Sequence, residues 1–210
     1  MIDFSALIDG YHRFKTSDWE RQRARWAELA DGQSPKVMVI ACSDSRVDPA
    51  TIFDTSPGET FVVRNVANLV PPFETTGGRH GVSAALEFAV TQLEVPEIVV
   101  MGHGGCGGCR AALNQNFKDA RLGEGGFISS WIDLLDDARE DVIHHHGHGP
   151  EAHRAMELAA VKVSLKNLRT FSCVRERESN GRIKLHGAYF SIDDGRLYVL
   201  DEETGAFSPA

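Results

Sequence analysis

The 210 residues carry 22 Lys and Arg against 30 Asp and Glu, a net charge of −8 at pH 7, which argues against nucleic acid as a partner because displacing backbone counterions needs clustered cations. The length suits one α/β domain with a full core, no linker-like tract divides it, and no stretch approaches the ~18 apolar residues of a membrane span. The first residues are amphipathic and include acids instead of a basic region leading into an apolar signal core, so a cytoplasmic protein is expected. The four cysteines, Cys42, Cys106, Cys109 and Cys173, then read as metal or catalytic residues in preference to disulfides.

In chain order, Phe4, Leu7, Ile8, Tyr11 and Phe14 recur at helical spacing and predict an amphipathic helix over 2–15. Ser17-Asp18-Trp19-Glu20 reads as a capping box that opens a second helix through Trp19, Arg23, Trp26 and Ala30. This aromatic arm, residues 1–31, precedes a core of 32–210 and is expected to lie across a partner. Val37-Met38-Val39-Ile40 is an apolar β-branched run bounded by Pro35 and by Asp48-Pro49, the pattern of a buried strand. A short helix over 49–54 follows, and then a strand at Thr60-Phe61-Val62-Val63-Arg64 and a turn from Asn65 to Pro72. Val82, Ala85, Leu86, Ala89, Val90 and Leu93 form a helical stripe between Gly77-Gly78 and Pro96, and Glu97 to Gly102 is the third strand.

Helices are expected over 107–116 and 128–143, separated by a glycine-rich turn at 123–126. Pro150 opens a long helix with Leu158, Val161, Leu165 and Leu168 on one face. Ile183 to Ile192 and Leu197 to Leu200, joined at Asp193-Asp194-Gly195, predict two strands, the last antiparallel at an edge. Strands alternating with helices define an α/β fold, a mostly parallel sheet covered by helices with one antiparallel edge strand.

The reactive residues gather just past strand ends, where open parallel sheets place their ligand sites. Cys42, Asp44 and Arg46 follow the first strand. His103 and Cys106 follow the third. Cys42, His103 and Cys106 make a set of soft donors suited to tetrahedral zinc with a fourth position open. Asp44 is placed either to fill that position or to accept a hydrogen bond from a water that does.

Cys42-Ser43-Asp44-Ser45-Arg46, Phe61-Val62-Val63-Arg64-Asn65-Val66-Ala67-Asn68 and His103-Gly104-Gly105-Cys106, in this order, resemble the β-class carbonic anhydrases over about 32–190. The resemblance implies Zn2+ on Cys42, His103 and Cys106, and reversible hydration of carbon dioxide to bicarbonate and a proton by zinc-bound hydroxide. Two thiolates make a weaker Lewis acid than imidazoles, so a higher working pH is expected unless the surroundings compensate. Asp44, oriented by Arg46, would accept a hydrogen bond from the hydroxide, and in a closed state would itself ligate the metal. Gln33, Phe61, Val66, Phe88 and Gly107 match substrate-site positions, Gln33 acting from a neighbouring subunit as in the plant-like subgroup, so a homodimer or homotetramer is implied. Phe88 stands where that subgroup often has Tyr. Val39 and Phe190 stand where the other subgroup carries a Trp and a Tyr, implying no inhibitory bicarbonate site.

Rival readings attach to the same residues. Cys106-Gly107-Gly108-Cys109 is a Cys-x-x-Cys at a strand-to-helix junction, as in thiol-disulfide redox proteins. Cys109 in the fourth position would make a purely structural zinc site. The zinc apparatus would also suit hydrolysis of carbonyl sulfide or carbon disulfide. Cys173 reads as a small buried residue, His144 to His148 as a solvated helix end, and His12, His80, His153 and His186 as surface or structural residues.

Overall fold

The computed structural model describes residues 2–75 and 78–210, and the chain forms two compact units, one ending at Ser34 and one comprising Pro35–Ala210. The first unit contains α1 (Phe4–Thr16), α2 (Asp18–Arg21) and α3 (Arg23–Ala30). The apolar stripe of α1 stands exposed at Phe4, Leu7, Ile8, Tyr11 and Phe14, with Phe14 edge-on to Trp26. The predicted capping box does not form. The Ser17 hydroxyl donates backwards to the Arg13 carbonyl at 2.6 Å, satisfying the end of α1 instead of the start of the next helix. That next helix is interrupted at Gln22, which has non-helical backbone angles.

The second unit is a six-stranded sheet in the order β2-β1-β3-β4-β5-β6. Its strands are β1 (Val37–Cys42), β2 (Thr60–Asn65), β3 (Glu97–His103), β4 (Lys184–Ser191), β5 (Arg196–Asp201) and β6 (Ala206–Pro209). The first four pair in parallel and the last two antiparallel. The mostly parallel α/β prediction therefore holds, with one correction. Leu197–Leu200 is not the edge, because β6 pairs beyond it. This short strand, in which only Phe207 is half-buried, is too brief for alternation to be read, and Pro209 suits its edge position.

Helices α4 (Pro49–Ile52), α5 (Gly81–Thr91), α6 (Gly107–Asn114), α7 (Gly126–Ile132), α8 (Asp136–His146), α9 (Pro150–Leu168) and α10 (Ser172–Ser179) complete the unit. Among the described residues none of the helices is long and apolar enough to cross a membrane. The predicted Gly77 boundary of α5 lies outside the described residues. The single helix expected over 128–143 is two helices split by a 3-10 turn at Asp133–Leu135. Asp136 and Asp137 open α8, where carboxylates favour a helix start, while Ile132 and Leu135 both enter the core. Helix α10 was not legible, since Val174 is its one buried residue.

Met38, Ile40, Ile98 and Val100 form the core on one sheet face with α5, α9 and α10. Alternate residues Val39, Ala41, Met101 and Ala188 make a smaller cluster on the other. Two glycines set the approach of α9. A Cβ on Gly102 would lie 2.7 Å from Val161 Cγ2, and one on Gly187 would lie 3.0 Å from Val161 Cγ1. The helix therefore lies directly on β3 and β4, a closeness that side chains there would forbid. Its buried face is wider than the predicted stripe and includes Glu157 and Ser164, whereas Leu158 is half-buried.

Candidate metal centre

The order β2-β1-β3 makes the junction of β1 and β3 the point where the chain's connections diverge to opposite sides, and crevices form there beyond the strand ends. Cys42 is the last residue of β1 and His103 the last of β3, on adjacent parallel strands in which Ala41 pairs Met101. The turn Gly104-Gly105-Cys106 then leads into α6. Gly105 adopts the left-handed region, φ +67°, where glycine is the least strained residue.

This brings Cys42, His103 and Cys106 together, each buried, with their ligand atoms all within 4.8 Å of one another. His103 is 1% exposed. Its Nδ1–H donates to the Gly104 carbonyl at 3.0 Å, and its Nε2 is buried without a hydrogen-bond partner. A buried orphan nitrogen is costly, and a lone pair fixed beside two sulfurs is the tautomer a metal requires. The donor set and the orphan nitrogen thus fit a zinc ion.

In the metal-free chain the thiols are held away from the thiolate form. A hydrogen bond with Cys106, followed by burial, pushes the Cys42 thiol up to about 12. The Cys109 thiol, and then burial, outweigh a lowering contribution from Cys42 and push Cys106 up to about 12. Both are protonated at neutral pH in the metal-free protein, whereas ligation needs thiolates. Zinc binding near pH 7.5 is therefore expected to release about two protons per ion, read by calorimetry in buffers of different ionisation enthalpy. Release of none would show thiolates already present.

Asp44 lies at the rim. Its Oδ1 accepts from Arg46 Nε at 2.9 Å and from the Arg46 backbone N–H at 3.0 Å, and its Oδ2 accepts from Arg46 Nη2 at 2.6 Å. This two-pronged clamp holds the carboxyl well below the usual carboxylate range, and Oδ2 stands 4.0 Å from His103 Nε2. Asp44 is thus turned to Arg46 and outside the ligand group, the open arrangement. Arg46 Nη2 also donates to the Gly105 carbonyl at 3.0 Å, joining the acid to the ligand loop. Beneath them Arg64 donates to the carbonyls of Cys42 at 2.9 Å and Asp44 at 2.6 Å, fixing the segment that carries ligand and acid.

Other predicted positions disperse. Val66, partly exposed, lies against the first turn of α6, where a Cβ on Gly108 would come within 2.7 Å of it, and Trp131 Nε1 donates to its carbonyl at 2.7 Å. Gly107 is exposed at the start of α6. Phe61 and Phe88 meet ring to ring, 6.0 Å between centroids, but Phe61 pairs Met38, four positions before the Asn65 that pairs Cys42. In one chain these rings do not line the centre. Gln33 belongs to the first unit.

Cys109 is buried in α6 among apolar residues and is not part of the ligand group. Cys173 is half-buried instead of buried, and all four cysteines are free thiols. His144, His145 and His146 form the exposed end of α8, His145 Nδ1 donating to the Asp141 carbonyl at 2.8 Å. Reading by spacing missed Glu157, whose carboxylate accepts the Cys106 backbone N–H at 2.9 Å and the Tyr189 hydroxyl at 3.0 Å. A glutamate in a helix reads as solvated, so no local signal marks it.

Fold and centre together define a class: an α/β protein with a buried cluster of three soft donors at the C-terminal edge of a parallel sheet, a donor set that suits a zinc ion. The chain belongs to the carbonic anhydrase family, in its β class: the family model described as "Carbonic anhydrase" matches residues 37–197. Beta carbonic anhydrase 6, mitochondrial, of Arabidopsis thaliana is 38% identical over 187 residues, covering 88% of this chain and 63% of the relative, so the chain spans less than two thirds of that protein. The solved β-carbonic anhydrase CcaA has 30% identity and a TM-score of 0.90, with 98% of this chain and 91% of that one covered. A solved structure from work on two tetrameric β-carbonic anhydrases of Sordaria macrospora has 28% identity and a TM-score of 0.80, covering 98% of each chain.

Proposed function

We propose that this chain binds Zn2+ through Cys42, His103 and Cys106 and catalyses the reversible hydration of carbon dioxide to bicarbonate and a proton. The observation that carries the proposal is the orphaned, buried His103 Nε2 facing two thiols, with an arginine-clamped carboxylate 4.0 Å away. Zinc, when bound, supplies a Lewis acid that lowers the pKa of water enough to make hydroxide available near neutral pH. The chain's own residues do the rest.

Asp44, ionised through its pair with Arg46, is an acceptor only. It takes a hydrogen bond from the attacking oxygen and so turns a lone pair of that oxygen towards the carbon. An acceptor already saturated on one side by Arg46 does not wander, so the orientation is set before substrate arrives. Val66, apolar and partly exposed beside the turn after Cys106, offers the uncharged molecule a surface with nothing to hydrogen-bond, and Gly107 leaves that entrance without a side chain.

Gln33, Phe61 and Phe88 serve substrate only in an assembly where a second copy presents them. A homo-oligomer is therefore part of the proposal, supported by the tetrameric relatives of Sordaria macrospora and by the exposed apolar stripe of α1.

Stopped-flow measurement of carbon dioxide hydration from about pH 6.5 to about pH 9.5, with zinc assayed in the same sample, tests this. Turnover that rises with pH and tracks zinc content is the expected result. Full turnover after zinc removal, or none with one zinc per chain, overturns it.

A further inference from the structure

We propose that Glu157 is a positioning residue of the metal centre, holding Cys106 in its ligating position by clamping one peptide from behind while Arg46 clamps it from the front. This rests on the zinc reading above. The peptide is Gly105–Cys106. Its carbonyl accepts from Arg46 Nη2 at 3.0 Å, and its N–H donates to Glu157 Oε1 at 2.9 Å. A peptide unit is rigid and planar, so a partner at each end fixes its rotation and therefore the Cα from which the Cys106 side chain departs.

The surroundings show what the carboxylate is for. Glu157 is 5% exposed, and among the described residues it makes no ion pair with Lys, Arg or His. The guanidinium one turn earlier, Arg154, lies over the Tyr189 ring at 4.9 Å. Burying a carboxylate among neutral groups costs free energy that an aliphatic side chain of similar size would avoid. Both of its oxygens are used as acceptors, one for the Cys106 N–H and the other for the Tyr189 hydroxyl. Tyr189 stands on β4, where its hydroxyl also faces Gly104 of the same ligand loop, 3.1 Å from where a Cβ there would sit. The close seat of α9 on Gly102 and Gly187 brings Glu157 within reach. The clamp also links the two halves of the site, since the arginine at its front is the one that orients Asp44.

The test compares Glu157→Leu, Glu157→Gln and Tyr189→Phe with the parent protein, by transfer of zinc to a chromophoric chelator and by the absorption spectrum of the cobalt-substituted proteins. Outer-shell partners of ligands are worth about 10- to 100-fold in metal affinity. Glu157→Leu, which orphans the Cys106 N–H, is expected to speed zinc release by about that factor and to perturb the thiolate-to-cobalt bands. Glu157→Gln keeps an oxygen for the N–H and is expected to stay within about threefold of the parent. Tyr189→Phe, which leaves Oε1 in place but frees the carboxylate to turn, falls between. A folded Glu157→Leu protein with parental release and spectrum overturns the proposal, as does Glu157→Gln behaving like Glu157→Leu. If Glu157→Leu does not fold, parental release from Tyr189→Phe overturns it. A parent protein that binds no zinc would instead sink the metal reading itself.

Discussion

Cys42→Ala is expected to lose zinc and, with it, all hydration activity above the uncatalysed background, while folding as well as the metal-free parent. The side chain it removes is small, a single sulfur buried beside Cys106, so the apo protein gives up only that sulfur's contacts and its hydrogen bond with Cys106. What it loses is one of three donors. Two remaining protein ligands cannot outcompete a chelator, and the thermal readout separates the effects. Zinc at a thousand times its Kd stabilises a folded protein by about 4 kcal/mol, which in a chain of this length raises Tm by roughly 8–16 °C. The parent should show that rise and Cys42→Ala should not. The thiol-redox reading expects a different outcome, because Cys42 takes no part in a Cys106–Cys109 pair. Unimpaired disulfide exchange as the sole activity of both proteins would favour that reading.

Asp44→Asn should leave zinc in place and lower turnover by about 10²- to 10³-fold, the range for removing one positioned acid–base or electrostatic group. Asparagine presents an N–H2 where Arg46 and the attacking oxygen both need an acceptor. It can satisfy the guanidinium with its remaining oxygen only by turning a donor towards the metal centre. Arg46→Lys supplies the complementary measurement. Lysine keeps the charge but not the planar fork that holds both carboxylate oxygens and, through Nη2, the Gly105 carbonyl. A fall in kcat at unchanged zinc content in both variants places their role in orientation. If Asp44→Asn instead retains full turnover at every pH, the carboxylate is an ordinary ion-pair partner and the proposed role fails.

The pH dependence of the pair has a definite sign. Asp44 is held below its ordinary value by Arg46, so its charged form is favoured by the fold. Its contribution is complete above the unfolded carboxylate value and is lost as pH falls through the depressed one. Across the working range the acid therefore stays an acceptor. The expected rise of activity with pH would then come from the attacking oxygen and not from Asp44.

The sequence by itself determined the candidate donors, their order and the kind of sheet that gathers them. Soft donors directly after two β-branched runs, with helical stripes between, leave few arrangements other than parallel strands ending side by side. Cys42, His103 and Cys106 converge as their positions require. The Asp44 and Arg46 pairing was likewise legible, because two residues of separation at a strand end leave little freedom.

Only the tertiary structure decided the rest. Glu157 and Tyr189 are remote from Cys106 in the chain, and nothing local distinguishes a buried glutamate from a solvated one; burial came from α9 settling on Gly102 and Gly187. The break between α7 and α8 likewise depends on which residues the core accepts, and Ser17 capped backwards because the helix before it ended there. Phe61 and Phe88 show the same limit, for residues that match a site in sequence can stand at the far end of a strand in one chain. Periodicity and spacing encode what neighbours along the chain will do, whereas burial, hydrogen-bond partnership and the completeness of a site are properties of elements brought together from a distance.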